Sequence, residues 1–552
     1  MLSFTLDLEP LGRRIPCRPG KTVLEAARRA GIALNAPCGG EGLCGRCEVR
    51  RMDGDLSALT DAEEETFTPA QLAAGWRLAC QCRPLGDARL YLPPASLATA
   101  QRIQTEGRDF GIALDPAVRA VEADDRTLFL RGGQVMAVRP PGATPLGLAV
   151  DLGTTKLAGY LLDLSSGETL AAAGAMNPQI AFGEDVMSRL AFAMHTPGGA
   201  DQLRTAAVEA VNALVRDLCA RANRPLDDVA DAVMVGNTAM HHLFLGLPVA
   251  QLGAAPYTPA ATDALDLPAR DLGLAFLPDV NVHWLPNIAG FVGADHVAML
   301  IGSGMLAREG VVLGLDIGTN TEISLLAHGA HYACSAASGP AFEGAHIRHG
   351  MRAAPGAIEK VLIYGKSVRI QTIEDQPPLG LCGSGILDLV AQLRLNGWIS
   401  PRGAFLNPEA NPCLRRGADG WEVLVTAGQP DITFSRRDIN EVQLAKGAIR
   451  AAVQTLLDKA GVPERAIDAV VIAGAFGTYL DVHSGMAVGL FPRVGSERFS
   501  QVGNAAGTGA RMALLSQAVR RQAVEIARRV RYVELTAEPG FTTRFARALM
   551  LD

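Results

Sequence analysis

The chain lacks a broad basic field: 51 Lys and Arg stand against 57 Asp and Glu, for a formal net charge of −6. Nucleic acid and acidic membrane surfaces are therefore poor candidate partners. It also lacks an uninterrupted apolar stretch of membrane length. The least polar long segment, LPNIAGFVGADHVAMLIGSGML, is broken by glycines and holds Asp295 and His296, so it reads as a buried helix with loops. The opening MLSFTLDLEP carries Asp7 and Glu9 and has no basic n-region, which argues against an export signal. A cytoplasmic location follows as the expectation, and with it free thiols rather than disulfides. A phosphate-cradling P-loop is missing too. RPGKT at 18–22 mimics the end of that motif, but the glycine required earlier is Ile15, so the stretch reads as a turn into a helix.

What is present begins with size. At 552 residues, 48% hydrophobic and 20% charged, the chain can build several buried cores. Of its ten cysteines, Cys219, Cys334 and Cys413 read as scattered small hydrophobes and Cys17 as strand core. The N-terminal cluster needs another explanation. APCGGEGLCGRCEV at 36–49 sets Cys38, Cys44 and Cys47 at C-x5-C-x2-C, and GWRLACQCRP follows with Cys80 and Cys82. Structural zinc sites pair two CxxC knuckles, whereas only Cys44 and Cys47 form such a pair here. Three thiolates from one loop and a distant fourth suit a [2Fe–2S] cluster better. Gly39, Gly40, Gly42 and Gly45 let the loop wrap a cluster and aim N–H groups at its sulfurs. On spacing alone the fourth ligand stays open between Cys80 and Cys82, which would share one face of a strand.

The flanks support a small mixed fold. FTLDL, RRIPC, RCEVRR and DARLYLP read as short strands, GKTVLEAARRAG as a helix stopped at Gly31, and Thr60 to Glu63 as a capping box. RTLFLRGGQVMAVRPPGA then suggests a hairpin and a Pro-rich linker.

The longer remainder contains a repeat. LGLAVDLGTTK at 146–156 and LGLDIGTNTE at 313–322 are both apolar strands ending in Asp-x-Gly-Thr, each followed by a second strand. Two similar halves facing across a cleft are expected. An aspartate at a strand end can hold Mg²⁺ through water, and a Gly-Thr turn can offer N–H and hydroxyl groups to phosphate. VVIAGAFGTYLD at 470–481 adds an apolar strand and Gly474 and Gly477, whose backbone can pass close to a flat adenine. EGAHIRH places Glu343, His346 and His349 at metal-like spacing, but among Gly and Pro it reads as structural.

These residues carry two resemblances. The strand, helix and cysteine-loop order resembles the ferredoxin β-grasp domain, with spacing closer to the adrenodoxin type than to the plant type. It implies Cys80 as the fourth ligand and Cys82 as a bystander. The Asp-x-Gly-Thr pair and the Gly474 loop resemble the two phosphate motifs and the adenosine motif of the superfamily of actin, sugar kinases and heat-shock chaperones.

The whole chain resembles the reductive activators of corrinoid proteins, through CGGEGLCGRC, LAVDLGTTKLAGYLLDL, NPQIAFGEDVMSRL, MVGNTAMHHLFLG, LDIGTNTEISL, GPAFEGAHIRHGMRAAPGAIE, GLCGSGILDLV and IAGAFGTYLDVHSG. The resemblance implies a multidomain α/β chain: a β-grasp ferredoxin domain (1–95), a linker or reduced middle segment (96–145), and a duplicated RNase H-like ATPase domain (146–552, lobes meeting near 310). It implies cluster ligands Cys38, Cys44, Cys47 and Cys80, and catalytic Asp151 and Asp316. ATP with Mg²⁺ would lie against Gly153, Thr154, Thr155, Lys156, Gly318, Thr319, Asn320, Thr321, Gly383, Ser384, Gly474 and Gly477. The implied partners are an upstream electron donor and the corrinoid protein of a methyltransferase or a methionine synthase. A homodimer is also implied if a middle domain builds it, and the segment available at 96–145 is short. DVHSGM departs from the Asp-x-His-x-x-Gly of corrinoid carriers at Met486, so the chain is not expected to hold cobalamin itself. Three rival readings remain: a small-molecule kinase with a redox sensor, an activator of radical dehydratases, and a nucleotide-switched scaffold.

Overall fold

The computed structural model describes residues 3–9, 13–30, 32, 34, 36, 38–93, 96, 112–183, 185–276, 280–429, 431–477 and 480–552. In the N-terminal part, strands β1 (Phe4–Glu9), β2 (Arg13–Cys17), β3 (Glu48–Asp53), β4 (Trp76–Leu78) and β5 (Ala88–Tyr91) form one sheet in the order β2-β1-β5-β3-β4. β1 runs parallel to β5 and antiparallel to β2. Leu6, Leu8, Ile15 and Cys17 alternate with polar neighbours and turn into one core, which the helix Val23–Arg29 covers with Val23, Leu24, Ala26 and Ala27. Thr22 caps that helix and Lys21 pairs with Glu25 at 2.9 Å, which is the turn-into-helix role expected of RPGKT. Gly31, the expected stop, lies outside the described residues. The Thr60–Glu63 capping box forms, and fully buried Glu63 also receives Arg77 Nε at 2.8 Å. This is the β-grasp ferredoxin arrangement.

Within 96–145, residues 97–111 lie outside the description. The expected hairpin is present as β7 (Arg126–Arg131) and β8 (Gln134–Arg139), and β6 (Val118–Ala123) joins it as a third strand. This meander is not free chain. Val118 and Phe129 are fully buried in the core of the larger part. Arg131 Nη1 of β7 and Arg520 Nη2 meet the two oxygens of buried Asp231 at 3.0 and 2.5 Å.

The larger part repeats one plan. β9 (Leu146–Leu152), β10 (Lys156–Asp163) and β11 (Thr169–Met176) form an antiparallel meander, with β12 (Val229–Gly236) parallel to β9. β13 (Leu265–Pro268) and β14 (Asn281–Trp284) complete the order β11-β10-β9-β12-β14-β13. In the second half β15 (Val312–Ile317), β16 (Thr321–Ala327) and β17 (Ala330–Ala336) form the same meander. Two small sheets follow, β18 (Ala357–Tyr364) with β19 (Ser367–Thr372) and β20 (Gly380–Leu381), and β21 (Leu414–Gly417) with β22 (Gly420–Thr426) and β23 (Ile432–Ser435). β24 (Ala469–Ala473) runs parallel to β15, and β25 (Phe499–Gln501) and β26 (Val530–Tyr532) close the edges.

Strands β9, β12, β15 and β24 are apolar almost end to end because helices cover both faces of their sheets. Each half has its own core, and a third core joins them, drawing on β9, β12, β15 and β24. Its centre is the contact between helices Ala294–Gly302 and Ala505–Leu515. A Cβ on Gly509 would stand 1.9 Å from the carbonyl oxygen of Ala298, so that approach requires glycine. The apolar segment around Asp295 is thus the buried helix expected, and among the described residues no helix is long and apolar enough to cross a membrane.

Asp231→Ala would leave buried Arg520 without its carboxylate and Arg131 with only its 3.6 Å pairing to Asp266. We expect it to lower stability by roughly 3–5 kcal/mol, the usual cost of removing one partner from a buried ion pair. Denaturant unfolding followed by far-UV circular dichroism measures this; an unchanged midpoint would show that the meander is not held by this charge.

Candidate functional site

In the thiol loop Gly39, Gly40, Gly42 and Gly45 all have positive φ (76°, 103°, 80° and 64°), so the backbone curls back on itself as only glycine does cheaply. The curl brings Cys38 Sγ within 3.3 Å of Cys44 Sγ. Cys47 hydrogen-bonds in the same way to Cys80. The bond donated by Cys44 holds the Cys38 thiol down at about 4, helped by the N–H groups of Gly40, Leu43 and Cys44. Cys80 is held at about 7 by the bond from Cys47, and Gln81 Nε2 donates to its sulfur at 3.4 Å. Cys44 and Cys47, which keep the shared protons, are raised.

Cys82 stands apart. β4 ends at Leu78 and residues 79–81 turn, with the N–H groups of Gln81 and Cys82 both on Leu78 O. Cys80 and Cys82 therefore do not share a strand face, contrary to the sequence expectation. Burial pushes the Cys82 thiol up to about 12. Cys17, Cys219 and Cys334 are buried as expected, whereas Cys413 is half-exposed. Among the described residues, no three His, Cys, Asp or Glu side chains gather so as to hold one metal ion. Two thiol pairs ringed by amide donors fit a binuclear [2Fe–2S] group, one pair for each iron.

The second site is a cleft of about 300 Å³ at the carboxyl ends of β9 and β15. The turns after these strands meet tip to tip, with Thr155 Oγ1 and Thr319 Oγ1 3.3 Å apart. Gly153 N donates to Lys156 O at 3.0 Å and Gly318 N to Asn320 O at 3.1 Å, which closes both turns. Asp151, Thr154, Lys156, Asp316, Asn320 and Gly474 also line the cleft. Gly474 has φ of 91°, and a Cβ there would meet Ile317 O at 2.5 Å and Asp316 Oδ1 at 2.8 Å. No other residue allows the segment to cross the end of β15 so closely.

Four expected residues fall outside the lining. Thr321 is buried against Ser338 Oγ at 2.9 Å. Gly383 and Ser384 open a buried helix, with Ser384 Oγ 3.4 Å from Cys382 Sγ. Gly477 is buried, and its carbonyl accepts from Gln501 Nε2 at 2.6 Å.

The cleft also holds groups that the sequence reading missed: Asp295, Glu322, Glu343, Asn237 and Asn504. Asn504 Nδ2 donates to Asp151 Oδ2 at 3.2 Å, Asn237 Nδ2 to Thr154 Oγ1 at 2.8 Å, and Thr319 Oγ1 to Glu343 Oε1 at 2.5 Å. A signal for the two asparagines was available, since Val-Gly-Asn occurs at 235–237 and again at 502–504, each opening a helix. Of the EGAHIRH trio only Glu343 lines the cleft.

Burial raises Asp151 to about 6. Burial and then the charge of Asp151 raise Asp316 to about 7. Asp295, facing both, rises to about 8, and Glu322 lies well above the carboxylate range. These four carboxylates, with Glu343 as a fifth in the lining, would repel phosphate oxygens entering beside them unless a cation lay between.

Three family models match the chain: one described as the 2Fe-2S iron-sulfur cluster binding domain over residues 6–85, one as the RACo middle region over 146–308, and one as the C-terminal domain of RACo, the ASKHA domain, over 310–552. The middle-region model falls on the half expected to be the first ATPase lobe, not on 96–145, so the chain is not short of that region. The chain is 32% identical to the corrinoid activation enzyme RamQ of Eubacterium limosum, covering 95% of each chain. It is 28% identical to the [Co(II) methylated amine-specific corrinoid protein] reductase of Methanosarcina barkeri over 70% of this chain and 72% of the other. A solved structure of a reductive activator for corrinoid,iron-sulfur protein superposes with a TM-score of 0.73 at 31% identity, covering 99% of this chain and 98% of that one.

Carboxyls whose pKa is raised in the fold favour the neutral form. Folding stability is therefore lost as pH climbs from the ordinary carboxylate value of about 4 to the raised values of about 6 to 8. We expect Asp295→Asn to raise the melting temperature more at about pH 8 than at about pH 5, and millimolar Mg²⁺ to shrink that difference. Equal shifts at both pH values would contradict like-charge strain in the cleft.

Proposed function

The chain belongs to the family of reductive activators of corrinoid proteins, and from that premise we propose that it returns the Co(II) corrinoid of a partner methyltransferase or methionine synthase to Co(I) in an ATP-dependent step. The observation that carries the reading is the presence in one chain of a paired-thiol loop and a carboxylate cleft walled by two Asp-x-Gly-Thr turns.

Cys38 and Cys44 would hold one iron of a [2Fe–2S] group and Cys47 and Cys80 the other. Such a group supplies one electron at a time, the number that takes Co(II) to Co(I). The loop amides and Gln81 stabilise negative charge on the sulfurs and so influence how readily that electron leaves. The electron comes from an external donor.

In the cleft, Asp151 and Asp316 would hold Mg²⁺, with Asp295 and Glu322 adding to its attraction. Thr154, Thr155, Thr319 and Asn320 would face the phosphates and the Gly474 segment the adenine. The division into 1–95, 96–145 and 146–552 is part of the same proposal. Coupling is needed because a donor short by about 100 mV leaves an uphill step of about 2.3 kcal/mol per electron. A nucleotide that binds one conformation better than another can offset a cost of that size.

Asp151→Ala and Asp316→Ala are expected to slow ATP hydrolysis and ATP-dependent Co(II) reduction by roughly a hundredfold or more, the scale of losing one charge-stabilising group. The cluster's visible spectrum should not change. Single-turnover spectroscopy with the corrinoid partner and its methyl donor, following methylcobalamin, provides the measurement. Full-rate reduction without ATP would remove the coupling, and phosphorylation of a small molecule with every corrinoid partner inert would favour a kinase.

A further inference from the structure

Arg46 stands between Cys44 and Cys47, yet its guanidinium leaves the N-terminal unit. It forms an ion pair with Asp481, lies 3.9 Å from Asp388 Oδ1, and donates from Nη2 to Ser484 Oγ at 3.2 Å. Those three acceptors are tied to one another. Ser484 Oγ donates to Asp388 Oδ1 at 2.8 Å, and Ser484 N donates to Asp481 Oδ1 at 2.6 Å as the cap of the helix Val482–Ala487. Asp388 is almost fully buried, and the other cation near it, Lys360, stands 3.9 Å away. The opposite flank of the loop is held as well. Arg369 Nη1 donates to Cys38 O at 3.2 Å and pairs with Glu41 at 2.9 Å, and Gln371 Oε1 accepts from Ala36 N at 3.0 Å.

The seat of Arg46 is the DVHSGM stretch, which fits no corrinoid carrier and which the cleft chemistry leaves unused. Asp481 follows Gly477 by four positions in the chain. The same segment begins at Gly474, where the backbone crosses Asp316 at the floor of the cleft. Gly474 thus meets the nucleotide cleft, while Asp481 and Ser484, seven and ten positions further along the chain, meet the thiol loop.

We propose that Arg46 is a positioning residue that couples occupancy of the cleft to docking of the thiol loop, by seating on Asp481, Ser484 and Asp388. The proposal rests on the reading that the cleft takes Mg-nucleotide. The sign follows from charge. Without the guanidinium, Asp481 loses its cation and buried Asp388 keeps Lys360 at 3.9 Å, so two carboxylates face each other across Ser484 with one positive charge fewer between them. Asp481, four positions after Gly477, is then less firmly held, and fixing it on binding costs affinity. By reciprocity, a nucleotide that gains from the docked loop must also tighten the docking. Hydrolysis and release then free the loop to meet its electron partners.

The test uses the full-length, cluster-loaded chain as wild type, Arg46→Ala, Arg46→Lys and Asp481→Asn. The last keeps an oxygen for the helix cap, removes the charge and leaves the thiol loop untouched. Calorimetry with a non-hydrolysable Mg-ATP analogue and amide exchange over residues 38–47 are read together, and the EPR spectrum of the reduced cluster verifies that the loop is intact. We expect the analogue to slow loop exchange in wild type. Arg46→Ala and Asp481→Asn should weaken its binding by roughly fivefold or more, the lower end of ordinary coupling between linked sites, and should lose the exchange response. Arg46→Lys should recover part of both. Wild type that binds the analogue with unchanged loop exchange, or Asp481→Asn that binds and responds as wild type does, overturns the coupling alone. Wild type that fails to bind the analogue overturns the coupling and the nucleotide reading together.

Discussion

Two strands, β9 and β15, run apolar through the middle of their sheets and end in aspartates at one cleft. Helices cover both faces of these sheets, so β9 and β15 are apolar until their last residues. Ligand groups collect at such carboxyl ends because loops and helix starts converge there. Duplication doubles the effect. Each half delivers an aspartate and a Gly-Thr turn, and the turns touch through Thr155 and Thr319. The carboxylates that result are stable together only when neutralised by protons or by a cation. That requirement makes the cleft responsive to what it binds.

Holding the halves in this relation falls to small residues. Gly509 lets two helices from opposite halves approach to backbone contact, and Gly474 lets the segment after β24 cross the end of β15. The three-stranded meander β6–β8 is anchored to the same body through Asp231 and the shared core.

The two sites differ in how they are built. The thiol loop is local, with three of its four sulfurs inside ten residues and its curl set by glycines. The cleft is assembled from distant pieces, with Asp151, Asp295, Asp316, Glu322 and Asn504 drawn from both halves. The loop's contacts with Arg369, Gln371, Asp388 and Asp481 join it to the second half across more than three hundred positions of chain.

Much of this was legible before any coordinates. The period-two strands, the Thr60–Glu63 cap, the hairpin at 126–139 and the repeated Asp-x-Gly-Thr are local patterns, and local backbone preferences set them. The cysteine spacing likewise pointed to three candidate ligands because it lies within one loop. That Cys80 pairs with Cys47 while Cys82 stands apart depended on where β4 stops, and spacing alone left it open. Asp295 read only as a polar residue on an apolar helix, and Glu343 as part of a structural motif. Thr321, Gly383 and Ser384 matched motifs but turn into the interior. In each case the chain pattern states which residue types are near one another in sequence. Which of them share a solvent-facing surface is decided by how two sheets, two helices and one docked loop pack, because burial and charge act between groups that only the fold brings together.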